Sequence, residues 1–144
     1  MYQTVLELHS YWAFATLGLI LIAGINALAG LSKKRAFTPN DRKIALIALI
    51  FSHIQFVIGM VLLFTSPKLD SFKAGMGTVM KNAELRLVLV EHPLTNLIAL
   101  TLITIGWSKH KKDETAAGKF KKIGYLYLIG LVLLLARIPY SQWL

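Results

Sequence analysis

The stretch Glu84-Leu85-Arg86-Leu87-Val88-Leu89-Val90-Glu91-His92-Pro93 decides how this chain is read. It opens the third of four long apolar blocks, and it carries Glu84, Arg86, Glu91 and His92 inside or at the edge of sequence that otherwise dissolves in lipid. An ionisable side chain at membrane depth is costly. It therefore faces the interior of a helix bundle and marks a functional site. His92 is the centre of this cluster, and His9 and His53 lie inside two other apolar blocks. The question the sequence poses is whether these imidazoles share one ligand.

Working outward, the 144 residues are 56% hydrophobic and 16% charged. A soluble domain carries about a quarter charged residues. The apolar residues fall in long blocks, so the expected fold class is all-α. The expected architecture is an integral-membrane, up-down four-helix bundle forming a single domain over 1–144. The absence of cysteine excludes disulfides, iron–sulfur clusters and haem attached through Cys-x-x-Cys-His. The net charge of +9 sits in short connections between apolar blocks, where it serves topology and anionic lipid rather than nucleic acid. The first residues carry no basic stretch, so Met1 onward is read as mature chain and not as a signal peptide.

The first span is expected over about 5–31, with Tyr11 and Trp12 as interfacial aromatics, stopped by Lys33-Lys34-Arg35. Thr38-Pro39-Asn40-Asp41 reads as a turn into the second span, 44–64, with Asn40 or Asp41 as the cap. Leu69, Phe72, Met76 and Val79 have helical spacing in the next connection, so part of it is expected to lie along the membrane surface. The third span is expected over 83–107 and the fourth over 123–138, stopped by Pro139. The first and third connections are the more basic. This places them in the cytoplasm and both termini on the outer, periplasmic side.

Depth is set by the rise of 1.5 Å per residue. Measured from the outer end, His9 lies roughly 6–10 Å deep, His92 roughly 12–14 Å and His53 roughly 18 Å. His9 and His92 are therefore nearly level. In an up-down bundle they stand on diagonal helices, whose separation suits a flat macrocycle held between two imidazoles. His9 with His92 is the favoured axial pair, and His53 with His92 the runner-up. On helix 1, Ala13, Thr16, Ile20, Ala23, Gly24 and Ala27 continue the His9 face as a stripe of mostly small residues. Such a stripe permits close helix approach or leaves room for a cofactor. Taken singly, each histidine reads as a hydrogen-bonded interior residue; three on three spans point to a bound cofactor or metal.

Arg86 and Arg137 lie toward the outer end of their helices, and guanidinium pairs with the propionates of a haem. Snorkelling to lipid phosphate is the alternative for both. Glu91 has three open roles: pairing with Arg137, orienting a histidine N–H, or carrying protons near a quinone. His110, in Ser108-Lys109-His110-Lys111-Lys112, reads as part of a solvated basic loop with no role.

Leu8-His9-Ser10, Ser52-His53-Ile54-Gln55, Phe64-Thr65-Ser66-Pro67, Glu91-His92, Leu102-Ile103-Thr104-Ile105-Gly106 and Ala136-Arg137-Ile138-Pro139 occur in this order. The pattern resembles a family of small four-helix bacterial membrane proteins classed as b-type cytochromes. The resemblance implies a multi-pass protein of the bacterial inner membrane that binds haem b. It also makes His9, His53 and His92 the residues to watch. The expected function is single-electron transfer through a bis-histidine haem near the outer leaflet, with quinone or a respiratory-chain protein as redox partner. A homo-oligomer is compatible with the sequence. Two alternatives stand beside it. One is a tri-histidine zinc, copper or non-haem iron site on His9, His53 and His92, in a membrane enzyme or metal carrier. The other is a cofactor-free accessory subunit.

Overall fold

The structure, a computed structural model, describes residues 1–140. The last four residues of the expected 1–144 domain lie outside the described ones. Among the described residues the chain is all-helical, with no strand. The long helices are α1 (Tyr2–Ser32), α2 (Pro39–Thr65), α4 (Ala83–Lys112, with a π turn at Leu87–Glu91) and α5 (Ala116–Ala136). Between α2 and α4 come a 3-10 segment (Pro67–Ala74) and the short α3 (Met76–Lys81), so the connection with helical spacing does fold as helix.

Three of these helices, α1, α2 and α4, are long and apolar enough to cross a membrane. α5 departs from the expected fourth span. It starts at Ala116, and its first two turns carry Lys119, Lys121 and Lys122. Its lysine-free part, from Ile123 to Ala136, spans only about 21 Å at 1.5 Å per residue.

α1 packs along α2 and along α5, and α4 packs along α5; the α2–α4 seam is thinner. Residue pairs across each seam show antiparallel neighbours. On α1 and α2, Trp12 stacks on Phe51 while Asn26 bonds Asp41. On α1 and α5, Gly24 faces Leu128 and Gly30 faces Phe120. On α4 and α5, Gly106 faces Leu126 and Ala99 faces Gly130. Glycine is required where backbones nearly touch: a Cβ on Gly106 would stand 2.9 Å from the Lys122 carbonyl oxygen. The expected stripe of α1 is its packing face, with Thr16, Ile20, Ala23, Gly24, Ala27 and Gly30 buried.

The α1–α2 corner is built by local chemistry. α1 ends in paired hydrogen bonds, Lys34 N–H to the Leu31 carbonyl and Arg35 N–H to the Gly30 carbonyl, with Lys34 in the left-handed region at φ 54°. α2 is capped by Thr38, not by Asn40 or Asp41 as the sequence suggested. Pro39 fills the first helical position and Asp41 closes a reciprocal capping box. Asp41 is 5% exposed and accepts from Arg35 Nη1 at 2.8 and 2.9 Å, Asn26 Nδ2 at 2.9 Å and the Thr38 N–H at 2.8 Å. Desolvation of this carboxylate is offset by those four donated bonds.

Candidate functional site

At the opposite end of the helices from that corner, a cavity of about 530 Å³ opens between α1, α2, α4 and α5. His9, Ser52, Gln55, Met60, His92 and Asn96 line it together with Glu7, Lys68 and a majority of apolar side chains. His9 reaches it from the second turn of α1. Its ring lies against Gly59 of α2, where a Cβ would stand 3.2 Å from His9 Cε1.

His92 owes its place to Pro93. A proline has no N–H to give the carbonyl of Leu89, four residues back, so the regular helical ladder cannot run through this point. The chain answers with the π turn over Leu87–Glu91, in which the His92 N–H bonds the Leu87 carbonyl. The extra residue in that turn resets the direction of every side chain from His92 onward. The two imidazoles meet with ring centroids 6.2 Å apart and planes at 89°.

Hydrogen bonds fix the proton positions. His92 Nδ1 lies 3.0 Å from the Arg137 carbonyl oxygen, which only accepts, so Nδ1 carries the proton. His92 Nε2 is then a bare lone pair, and it accepts from Asn96 Nδ2 at 3.2 Å. On His9 the Gln55 amide nitrogen donates twice, to the His9 carbonyl at 2.9 Å and to Nδ1 at 3.0 Å. His9 therefore carries its proton on Nε2. Two buried acceptors in the cavity wall, Gln55 Oε1 and Asn96 Oδ1, have no partner among the described residues. Buried polar atoms are normally paired, so these two point to a ligand or water that completes the site.

The other expected site residues fall elsewhere. His53 is exposed between α2 and α4. Thr104 Oγ1 donates to the Leu100 carbonyl and accepts from His53 Nε2 at 3.1 Å. His53 does not border the cavity, and among the described residues no three His, Cys, Asp or Glu side chains converge as a metal site. Arg86 and Arg137 do not border the cavity either. Both turn to Glu91: Arg86 Nε at 2.9 Å from Oε2 and Arg137 Nε at 3.8 Å from Oε1. Of the three roles open to Glu91, pairing with Arg137 is the one seen, shared with Arg86. Lys68 is a cation that does line the cavity.

Sequence reasoning missed Gln55 and Asn96 as partners of the two imidazoles. The signal was present: Asn96 lies one helical turn after His92, and Gln55 sits on the stripe that carries Ser52 and Gly59. No family model, curated protein or solved structure matches this chain.

Proposed function

We propose that this chain is a multi-pass protein of the bacterial inner membrane, an up-down four-helix bundle with both termini outside. In this reading it binds one haem b through His9 and His92 and passes single electrons, with quinone or a respiratory-chain protein as partner. The observation that carries the reading is the meeting of these two imidazoles from different helices in one apolar cavity. Rings from two helices with centroids 6.2 Å apart support His9 and His92 as the pair that would hold such a group.

The residues present fit such a group. His92 has its Nδ1–H held by a backbone carbonyl, so Nε2 would be the ligating atom in place of the Asn96 amide bond it now accepts. His9 would hold it through Nε2 with its proton on Nδ1, where the unpartnered Gln55 Oε1 would serve as the acceptor. Lys68 at the cavity wall supplies a positive charge for a propionate. Arg86 and Arg137, engaged by Glu91, add positive charge nearby without lining the site. When bound, such a haem would supply a one-electron couple. The chain's part would be to hold the imidazoles, fix their protons and limit water with a mostly apolar wall.

Three apolar helices and the basic connections support membrane placement with the first and third connections inside; the fourth crossing would fall to the lysine-free part of α5, with Lys119, Lys121 and Lys122 reaching the inner headgroups. The test is the haem and iron content of the purified protein after expression with haem supplementation. About one haem per chain is expected. Colourless protein without iron refutes the reading.

A further inference from the structure

The end of the molecule remote from the histidine cavity carries a second recess, lined by Phe37, Arg42, His110, Lys111 and Lys119 together with Thr38 and Pro39. Its cations come from three helices: Arg42 from α2, Lys111 from α4 and Lys119 from α5. Aromatic walls hold them. The guanidinium of Arg42 lies 5.1 Å from the Trp107 ring centroid and Lys111 Nζ 5.7 Å from the same ring. Lys119 Nζ donates to the His110 carbonyl at 3.0 Å and stands 5.9 Å from the Phe37 ring. His110 is 1% exposed, packed on Phe37 and Trp107, with Nδ1 bonded to the Trp107 carbonyl. It is the floor of the recess, not part of a solvated loop.

Among the described residues no carboxylate lines this recess. Of the acids on the adjoining segments, Asp41 is paired with Arg35 and Asp113 with Lys122, and Glu114 does not line the recess. Among the described residues none of the three cations has an acidic partner. Like charges gathered at a helix end repel one another unless an anion sits among them. At the level where spans meet their basic connections, the available anion is a phosphate ester, and basic pockets between spans on the cytoplasmic side hold such headgroups.

We infer that this recess is a specific site for the phosphate of an anionic phospholipid of the inner leaflet, held by Arg42, Lys111 and Lys119 beside Phe37. The lipid sits at the α2–α4–α5 junction and ties three helix ends together. The inference rests on the membrane placement proposed above but not on haem binding, so the lipid site and the haem site fail separately.

The test is native mass spectrometry of the full-length protein in detergent, titrated with phosphatidylglycerol and, separately, with phosphatidylcholine. One tightly held phosphatidylglycerol per chain is expected, with phosphatidylcholine at least about tenfold weaker. Arg42→Gln/Lys111→Gln/Lys119→Gln loses that lipid, whereas Lys33→Gln/Lys43→Gln/Lys121→Gln, matched in charge but outside the recess, keeps it. Lys111 makes no side-chain hydrogen bond among the described residues, so the single variant Lys111→Gln, expected to weaken binding several-fold, covers the case in which the triple variant does not fold. Equal losses in the two triple variants, or no loss in Lys111→Gln, overturn the site. Displacement of the lipid by millimolar inorganic phosphate identifies a free anion as the ligand and overturns the lipid assignment.

Discussion

Gln55 gives the sharpest way to separate ligand positioning from packing. Gln55→Leu keeps the side-chain volume and removes the amide that donates to His9 at 2.9 and 3.0 Å. Two lost hydrogen bonds cost about 0.5–1.5 kcal/mol each, while deleting the buried, unpartnered Oε1 returns about 1–3 kcal/mol. The two contributions nearly cancel, so the fold should change in stability by no more than about 1 kcal/mol. Haem affinity should fall much further, because ligation through Nε2 places a proton on Nδ1 that needs an acceptor. Loss of such an outer partner typically weakens metal binding about 10–100-fold. The assay pairs a haem titration followed at the Soret band with unfolding in detergent. Gln55→Glu, which offers a carboxylate to the same proton, should retain affinity and lower the midpoint potential by making the imidazole a stronger donor. Unchanged affinity in Gln55→Leu, or a midpoint potential that does not fall in Gln55→Glu, would show that Gln55 does not position His9 for a ligand.

Other expectations concern the frame around the site. Lys34→Gly removes a side chain from a left-handed position at φ 54° and should stabilise the protein by about 1 kcal/mol, read from its unfolding midpoint. Asp41→Ala takes away the α2 capping box and leaves Arg35 and Asn26 without their shared acceptor. With Arg35 only partly buried, the loss should be about 2–3 kcal/mol, below the range for a fully buried pair. Asp113, between α4 and α5, has its carboxyl held below the usual carboxylate range by the Lys122 hydrogen bond and by Thr115. A depressed carboxyl contributes stability that is present above its unfolded value of about 3.9 and is lost as pH falls through the folded value. The unfolding midpoint should therefore drop less steeply on acidification in Asp113→Asn than in the wild type.

Much of this arrangement is legible in the residues. The stripe from Thr16 to Ala27 is the packing face of α1, because small side chains at helical spacing leave a groove that only another helix fills. The near-equal depth of His9 and His92 agrees with the structure, since depth depends only on the rise per residue and the rings do meet. Direction around a helix is harder to read than depth. The π turn before Pro93 rotates the remainder of α4 about its axis, and its only trace in the sequence is that proline. Height alone brings Arg86 and Arg137 toward the site, whereas in the fold Glu91 captures both. His110 reads as solvated because the lysines around it mask the helical period. It continues the face of Ile103, Gly106 and Trp107, all buried, for one more turn into those lysines.

The most direct measurement is a reduced-minus-oxidised visible spectrum of the purified protein and of three variants, His9→Ala, His53→Ala and His92→Ala. A haem b difference spectrum is expected in the wild type, with its retention in His53→Ala and its loss or conversion to a five-coordinate form in the other two. A spectrum that survives in both His9→Ala and His92→Ala, or that vanishes only in His53→Ala, would contradict His9 and His92 as the pair.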